Sequence, residues 1–129
     1  MKTDWNNLNK IRIANCDESF QKHEIIKLIL VMKLMKKYNR RRNSIRIYTE
    51  FPLENGCIAD IYFEDTKKKN AYAFEIQKEY TKEWLKERTE KYKEWEIPFF
   101  NSADWIPINL NQLSDNINEL NKQLDKYLI

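Results

Sequence analysis

The spacing of apolar positions divides the chain into elements of two periods. From Ser19 to about Tyr38, Ile25, Leu28, Ile29, Met32 and Met35 recur at three- and four-residue spacing, a helical repeat among helix-favouring Leu, Met and Lys. Ile26, Leu30, Val31 and Leu34 widen that apolar face until it nearly wraps the helix, which predicts burial against a sheet. Three strand-like runs follow: Ser44 to Glu50 with Ile45, Ile47 and Tyr48; Cys57 to Phe63 with Ile58, Ile61 and Tyr62; Ala71 to Gln77 with Tyr72, Phe74 and Ile76. Asn55-Gly56 predicts a hairpin between the first two, and the polar Asp65–Asn70 segment a second hairpin. Thr81 to Trp95 reads as a helix ended by Pro98. Asp104 to Leu110 reads as a fourth strand despite Pro107, and Leu113, Ile117, Leu120, Leu124 and Tyr127 mark a C-terminal amphipathic helix within 111–129. Residues 1–16, with Trp5, Leu8, Ile11 and Ile13, suit a short strand or an irregular arm.

The order is therefore helix, three strands, helix, strand, helix. The strand–helix–strand step over 71–110 predicts a parallel pairing with a right-handed crossover. The expected fold class is α/β, a mixed four-stranded sheet flanked by helices in one domain over 1–129. Composition agrees: 42% hydrophobic and 13% aromatic residues argue against disorder despite 33% charged ones, and a single glycine leaves little material for linkers. Cys16 and Cys57 are too few for a disulfide framework and lie in no metal-binding motif. No signal peptide opens the chain, and Ile25 to Met35, interrupted by Lys27 and Lys33, is too short for a bilayer span. A soluble cytoplasmic protein is expected.

The candidate chemistry lies on the second and third strands. Alternation places Ala71, Ala73, Glu75 and Gln77 on one face and Tyr72, Phe74 and Ile76 on the other. Asp60 is out of keeping with Ile58, Ala59, Ile61 and Tyr62 around it. A turn at Lys67-Lys68 makes paired positions sum to 135, which sets Asp60 opposite Glu75. Carboxylates about 5 Å apart across a ladder repel each other. A shared proton or a cation must offset that repulsion, and Mg²⁺ suits two carboxylates completed by water and phosphate oxygens. Glu24 on the first helix and Glu50 at the end of the first strand are alternatives for a further acid, with Glu50 favoured if the hairpin register brings it near Asp60. His23, the only histidine, and Lys27 are four residues apart and share a helix face, as do Arg88 and Tyr92.

The order αβββαβ, with Asp60 in the second strand and Glu75-Ile76-Gln77 in the third, resembles the PD-(D/E)xK nuclease superfamily. Ile58-Ala59-Asp60-Ile61, Phe74-Glu75-Ile76-Gln77 and Glu87-Arg88-Thr89-Glu90-Lys91-Tyr92 are similar to the competence-protein CoiA-like branch, and His23 with Lys27 match its HxxxK pattern. The resemblance covers roughly residues 20–110. It implies a restriction-endonuclease-like core and a metal-dependent nuclease. Asp60, Glu75, the Ile76 carbonyl and Glu50 would then hold Mg²⁺ or Mn²⁺, with Lys27, His23 and Gln77 serving catalysis. Gln77 stands where the motif usually has lysine, so a cation must come from elsewhere, and Lys27 is the choice.

The net charge of +3 is modest, and the basic residues are gathered. Lys36, Lys37, Arg40, Arg41 and Arg42 exceed what a helix C-terminus needs and, with Arg88, are the expected nucleic-acid contacts. Lys67, Lys68 and Lys69 form a second cluster. DNA is the expected partner, with a homodimer through the C-terminal helix as a further expectation. A nuclease-like fold that binds nucleic acid without cutting it is the alternative function.

Overall fold

The computed structural model describes residues 18–129; the segment 1–16, and Cys16 with it, lies outside the described residues. The chain runs through α1 (Glu18–Lys37), a 3-10 turn (Asn39–Ser44), β1 (Ile45–Pro52), β2 (Ile58–Asp65), β3 (Asn70–Gln77), α2 (Lys82–Lys93) and β4 (Ser102–Asn109). After a 3-10 turn at Leu110–Gln112 it continues into α3 (Ile117–Leu124) and a last 3-10 turn, Asp125–Tyr127. The sheet order is β1-β2-β3-β4, with β1–β2 and β2–β3 antiparallel and β3–β4 parallel. The α/β class with a mixed four-stranded sheet between helices is as the sequence implied.

Each sheet face carries its own core. On one, Ile26, Leu30 and Leu34 of α1 pack with Ile61, Phe63, Phe74, Ile76 and Ile108, and Leu120 and Leu124 of α3 close the cluster. Each such side chain, fully buried, contributes about 1.5–3 kcal/mol. On the other face, Ala59, Tyr62, Ala71 and Ala73 meet Tyr92 of α2, with Trp95 and Trp105 beside it. Ala71 and Ala73 are small enough to let that bulky ring onto the sheet, where it stacks on Trp105 at 4.9 Å.

Two expectations need correction. The buried stripe of α1 is Ile26, Leu30 and Leu34, whereas Leu28, Met32 and Met35 are each 60% exposed. Both sets have helical spacing, so periodicity alone could not say which one meets the sheet. The C-terminal helix is also shorter than the 111–129 span: only eight residues are α-helical, capped by the Asn116 side chain on the Asn118 and Glu119 N–H groups. Its Leu120 and Leu124 are buried in the core beside α1, while Ile117 of the same stripe is 57% exposed. Among the described residues no helix is long and apolar enough to cross a membrane.

Asp65, 2% exposed, anchors the far end of the β2–β3 hairpin. Its Oδ1 accepts the Lys67 and Lys68 N–H groups at 3.1 and 3.0 Å, and its Oδ2 meets the Arg41 guanidinium. Burial alone would raise this carboxyl, but the Lys68 N–H, Arg41 and the Lys67 N–H together hold it below the ordinary carboxylate range. Its stabilising contribution is therefore complete above the unfolded value and lost as pH falls through the lower folded one. Asp65→Ala should cost about 2–4 kcal/mol at pH 7, because it strands Arg41 and two turn N–H groups. Urea melts at pH 7 and near pH 3 check this: the deficit should shrink at the lower pH.

Candidate active site at one end of the sheet

Regular alternation fails where β1 and β2 pass Glu50 and Asp60. In β2, Cys57 and Ala59 pack on the α2 side, while Ile61 and Phe63 pack on the α1 side. Residues two apart normally share a face. In β1 the same switch occurs between Ile47 and Phe51, with Glu50 at a positive φ of 50°. The ladders run Thr49↔Ile61 then Phe51↔Ala59, and Ile61↔Phe74 closes the β2–β3 series. Asp60 is in neither. The expected β2–β3 register, positions summing to 135, is therefore correct, and the separate β1–β2 register, summing to 110, sets Glu50 opposite Asp60.

The side chains nevertheless diverge. Asp60 Oδ2 accepts the Ile76 N–H at 2.6 Å, taking the place of a strand carbonyl. Its Oδ1 lies 3.2 Å from His23 Nε2 on α1. Glu75 turns to the opposite face, where Arg88 Nε is 3.6 Å away, too far for a hydrogen bond. The Tyr92 hydroxyl approaches the same carboxylate, although neither it nor the buried Glu75 Oε2 completes a well-formed hydrogen bond. Asp60 and Glu75 therefore sit at matching register positions but are served by different helices.

On the α1 side a chain of charges continues from Asp60. His23 Nδ1 is 3.5 Å from Glu24 Oε2, that oxygen is 2.6 Å from Lys27 Nζ, and Lys27 reaches Glu50 Oε1 at 2.8 Å. Both alternatives for the further acid, Glu24 and Glu50, are thus brought together by Lys27. Burial by itself would lower the Lys27 pKa, but the two carboxylates outweigh it and hold the ammonium charged. The hydrogen bond to Asp60 raises His23 above its ordinary 6.5 against the opposing effect of burial. Glu75 is raised chiefly by burial, with Asp60's charge adding to it and Tyr92 and Arg88 opposing. Two acids close enough to perturb one another, one carrying a buried free oxygen, make a site that would gain from a cation.

The remaining predicted residues divide. Gln77 ends β3 opposite Asn109, on the same face as Glu75 by alternation, and its amide makes no hydrogen bond among the described residues. Arg88 reaches the site and also donates to Cys57 Sγ at 2.9 Å. Lys36, Lys37, Arg40, Arg41 and Arg42 do not: the lysines lie in the last turn of α1 and the arginines in the 3-10 turn before β1, at the other end of the sheet. Arg41 there pairs with Asp65, and Lys37 with the Ile129 carbonyl. Among the described residues no group of three or more His, Cys, Asp or Glu is gathered to hold a metal by itself. Cys57 as a partner of Arg88 escaped the sequence reading, since a lone cysteine in an apolar run carries no signal.

No family model matches the chain, and no curated protein or solved structure matches it.

As the only histidine, His23 gives one imidazole signal whose titration isolates its surroundings. A raised folded pKa means its contribution to stability is full below about 6.5 and is lost as pH rises through the folded value. Asp60→Asn should move that midpoint down by removing its largest cause. Glu50→Gln, which faces Lys27 instead, should leave it in place. NMR titration of the ring protons checks both, and equal shifts from the two variants would contradict the geometry.

Proposed function

We propose that the chain is a Mg²⁺- or Mn²⁺-dependent nuclease hydrolysing phosphodiester bonds in DNA, on a restriction-endonuclease-like core of the PD-(D/E)xK kind. The observation that carries this is the pair Asp60 and Glu75 at one end of neighbouring strands. Asp60 lies outside both ladders, and Glu75 holds a buried oxygen without a partner. Folds keep such unfavourable carboxylates where chemistry requires them.

The donor types suit a hard cation. Asp60, Glu75 and the Ile76 carbonyl are oxygen donors. Because Asp60 faces His23 and Glu75 faces Arg88, one carboxylate would have to turn towards the other to share a divalent ion, which would then offset both the burial of Glu75 and its repulsion by Asp60. Such an ion, when bound, lowers the pKa of its water and polarises the scissile phosphate. The chain's own groups do the rest. Lys27, held charged between Glu24 and Glu50, supplies the positive charge that Gln77 cannot, and Gln77 offers an amide to orient water. His23 holds a proton at Nε2 against Asp60 Oδ1. Arg88 faces Glu75 as its counter-charge, and its guanidinium would be available to a phosphate were that carboxylate engaged by a cation.

A second reading, binding without cleavage, has its own support. Gln77 replaces the motif lysine, and His23 and Arg88 already face the two acids as protein counter-ions. One experiment separates the readings: incubation with single-stranded, duplex and branched DNA and with RNA, in Mg²⁺, Mn²⁺ or EDTA. Metal-dependent cleavage should fall at least about a hundredfold in Asp60→Ala and in Glu75→Ala. Salt-sensitive binding with no cleavage by any preparation would instead establish the second reading. Independently of activity, millimolar Mg²⁺ should raise the Tm of the wild type but not of Glu75→Gln, as measured by differential scanning fluorimetry.

A further inference from the structure

Opposite the carboxylate end, the sheet carries a second unusual surface. Phe99, in the loop between α2 and β4, is 92% exposed and has a φ of 70°. A bulky residue at positive φ is a genuine outlier, and here the strain gains no burial. The backbone around it is pinned: Phe100 N–H donates to the Ile97 carbonyl at 3.0 Å, and Asn101 N–H to the Lys69 carbonyl at 2.6 Å. Asn101 Nδ2 also reaches the Lys68 carbonyl at 3.1 Å. Phe99 is thereby fixed beside the β2–β3 turn.

That turn carries Lys67, Lys68 and Lys69, all exposed. Asp65 and Asn101 lock its backbone, yet none of the three ammonium groups makes an ion pair or hydrogen bond among the described residues. Thr66 N–H donates to the Ser44 carbonyl, so the turn adjoins the 3-10 segment with the exposed Arg40 and Arg42. Three cations without partners among the described residues, on a turn hydrogen-bonded to the loop that carries a solvent-facing aromatic ring, match a chain of phosphates bearing flat bases.

We propose that this end of the sheet docks single-stranded nucleic acid, an unpaired base stacking on Phe99 while flanking phosphates lie on Lys67, Lys68 and Lys69. Stacking on a side chain requires a base free of its duplex neighbour, which names the unpaired strand as the substrate class. The turn lies seven strand residues from Gln77, about 23 Å along β3, so a bound strand of several nucleotides reaches from here to Asp60 and Glu75. The proposal rests on the nucleic-acid reading above but not on its cleavage chemistry.

The test is fluorescence anisotropy of the full chain, in EDTA, with a labelled 20-nucleotide oligo-dT and a blunt duplex of equal length. Phe99→Ala should weaken single-strand binding about 5–100-fold, leave duplex binding unchanged and keep the wild-type Tm. Phe99→Trp should retain single-strand binding. Exchanging all three lysines for glutamine should weaken binding and flatten its salt dependence. Equal single-strand affinity of Phe99→Ala and wild type overturns the proposal. So does a duplex that binds as tightly as the single strand, or a poly-glutamate peptide that binds equally well through Phe99. Cleaving wild-type protein whose Phe99→Ala variant binds unchanged would leave the nuclease reading standing and sink this one. Phe99-dependent binding without any cleavage would do the reverse.

Discussion

One strand has to serve two cores, and the consequences of that constraint run through the molecule. The first half of β2 gives Cys57 and Ala59 to the layer under α2, and the second half gives Ile61 and Phe63 to the layer under α1. A strand with period-two alternation cannot do both without a break. The break falls at Asp60, with Glu50 at positive φ beside it on β1. Leaving the ladder exposes the Ile76 N–H of β3, and a buried strand N–H must find an acceptor. Asp60 supplies it at 2.6 Å. An acceptor oxygen is thus needed at the point where the sheet changes face, and because Asp60 supplies it as a carboxylate, a negative charge stands next to Glu75.

The electrostatics of the site follow from which helix reaches each acid. The α1 side offers His23, Glu24 and Lys27, which form one line of alternating charge running from Glu50 to Asp60. The α2 side offers Arg88 and Tyr92 to Glu75. These groups neutralise the site only in part, because Arg88 stands 3.6 Å off and Glu75 Oε2 stays without a partner. An incompletely compensated buried carboxylate costs stability, and proteins retain that cost chiefly at functional positions. Eight of the chain's 23 lysines and arginines gather elsewhere, around the Asp65-locked turn and the end of α1. Along β3, the Asp60–Glu75 pair therefore lies towards one end and the lysine-bearing turn at the other.

Much of this was legible in the sequence. The element order, the sheet class and the β2–β3 register could be read from alternation and turn chemistry, because a one-residue slip would have moved Tyr72, Phe74 and Ile76 out of the core. Asp60 and Glu75 stood out as acids embedded in apolar runs. The pairing of His23 and Lys27 on one helix face was visible from their spacing, as was that of Arg88 and Tyr92. Other features carried no such signal. On α1, Ile26, Leu30 and Leu34 are helically spaced, and so are the exposed Leu28, Met32 and Met35. The C-terminal apolar positions suited one long helix, yet only Ile117–Leu124 is α-helical.

What the sequence determined by itself was local and periodic: which segments are helix or strand, where two hairpins turn, and which acids are out of place among their neighbours. Only the tertiary structure decided which way those acids point. Asp60 and Glu75 were set opposite each other by register, but the face of each side chain depends on the change of layer at Asp60, and that depends on two helices packing at once. The same holds for the cations. Lys36 to Arg42 and Lys67 to Lys69 are far apart in sequence, and they meet at one end of the sheet because Ile45 pairs with Asp65 and Thr66 binds the Ser44 carbonyl. Propensity and pattern act within a few residues, whereas the direction of a side chain and the meeting of distant charges are settled by packing across the whole chain.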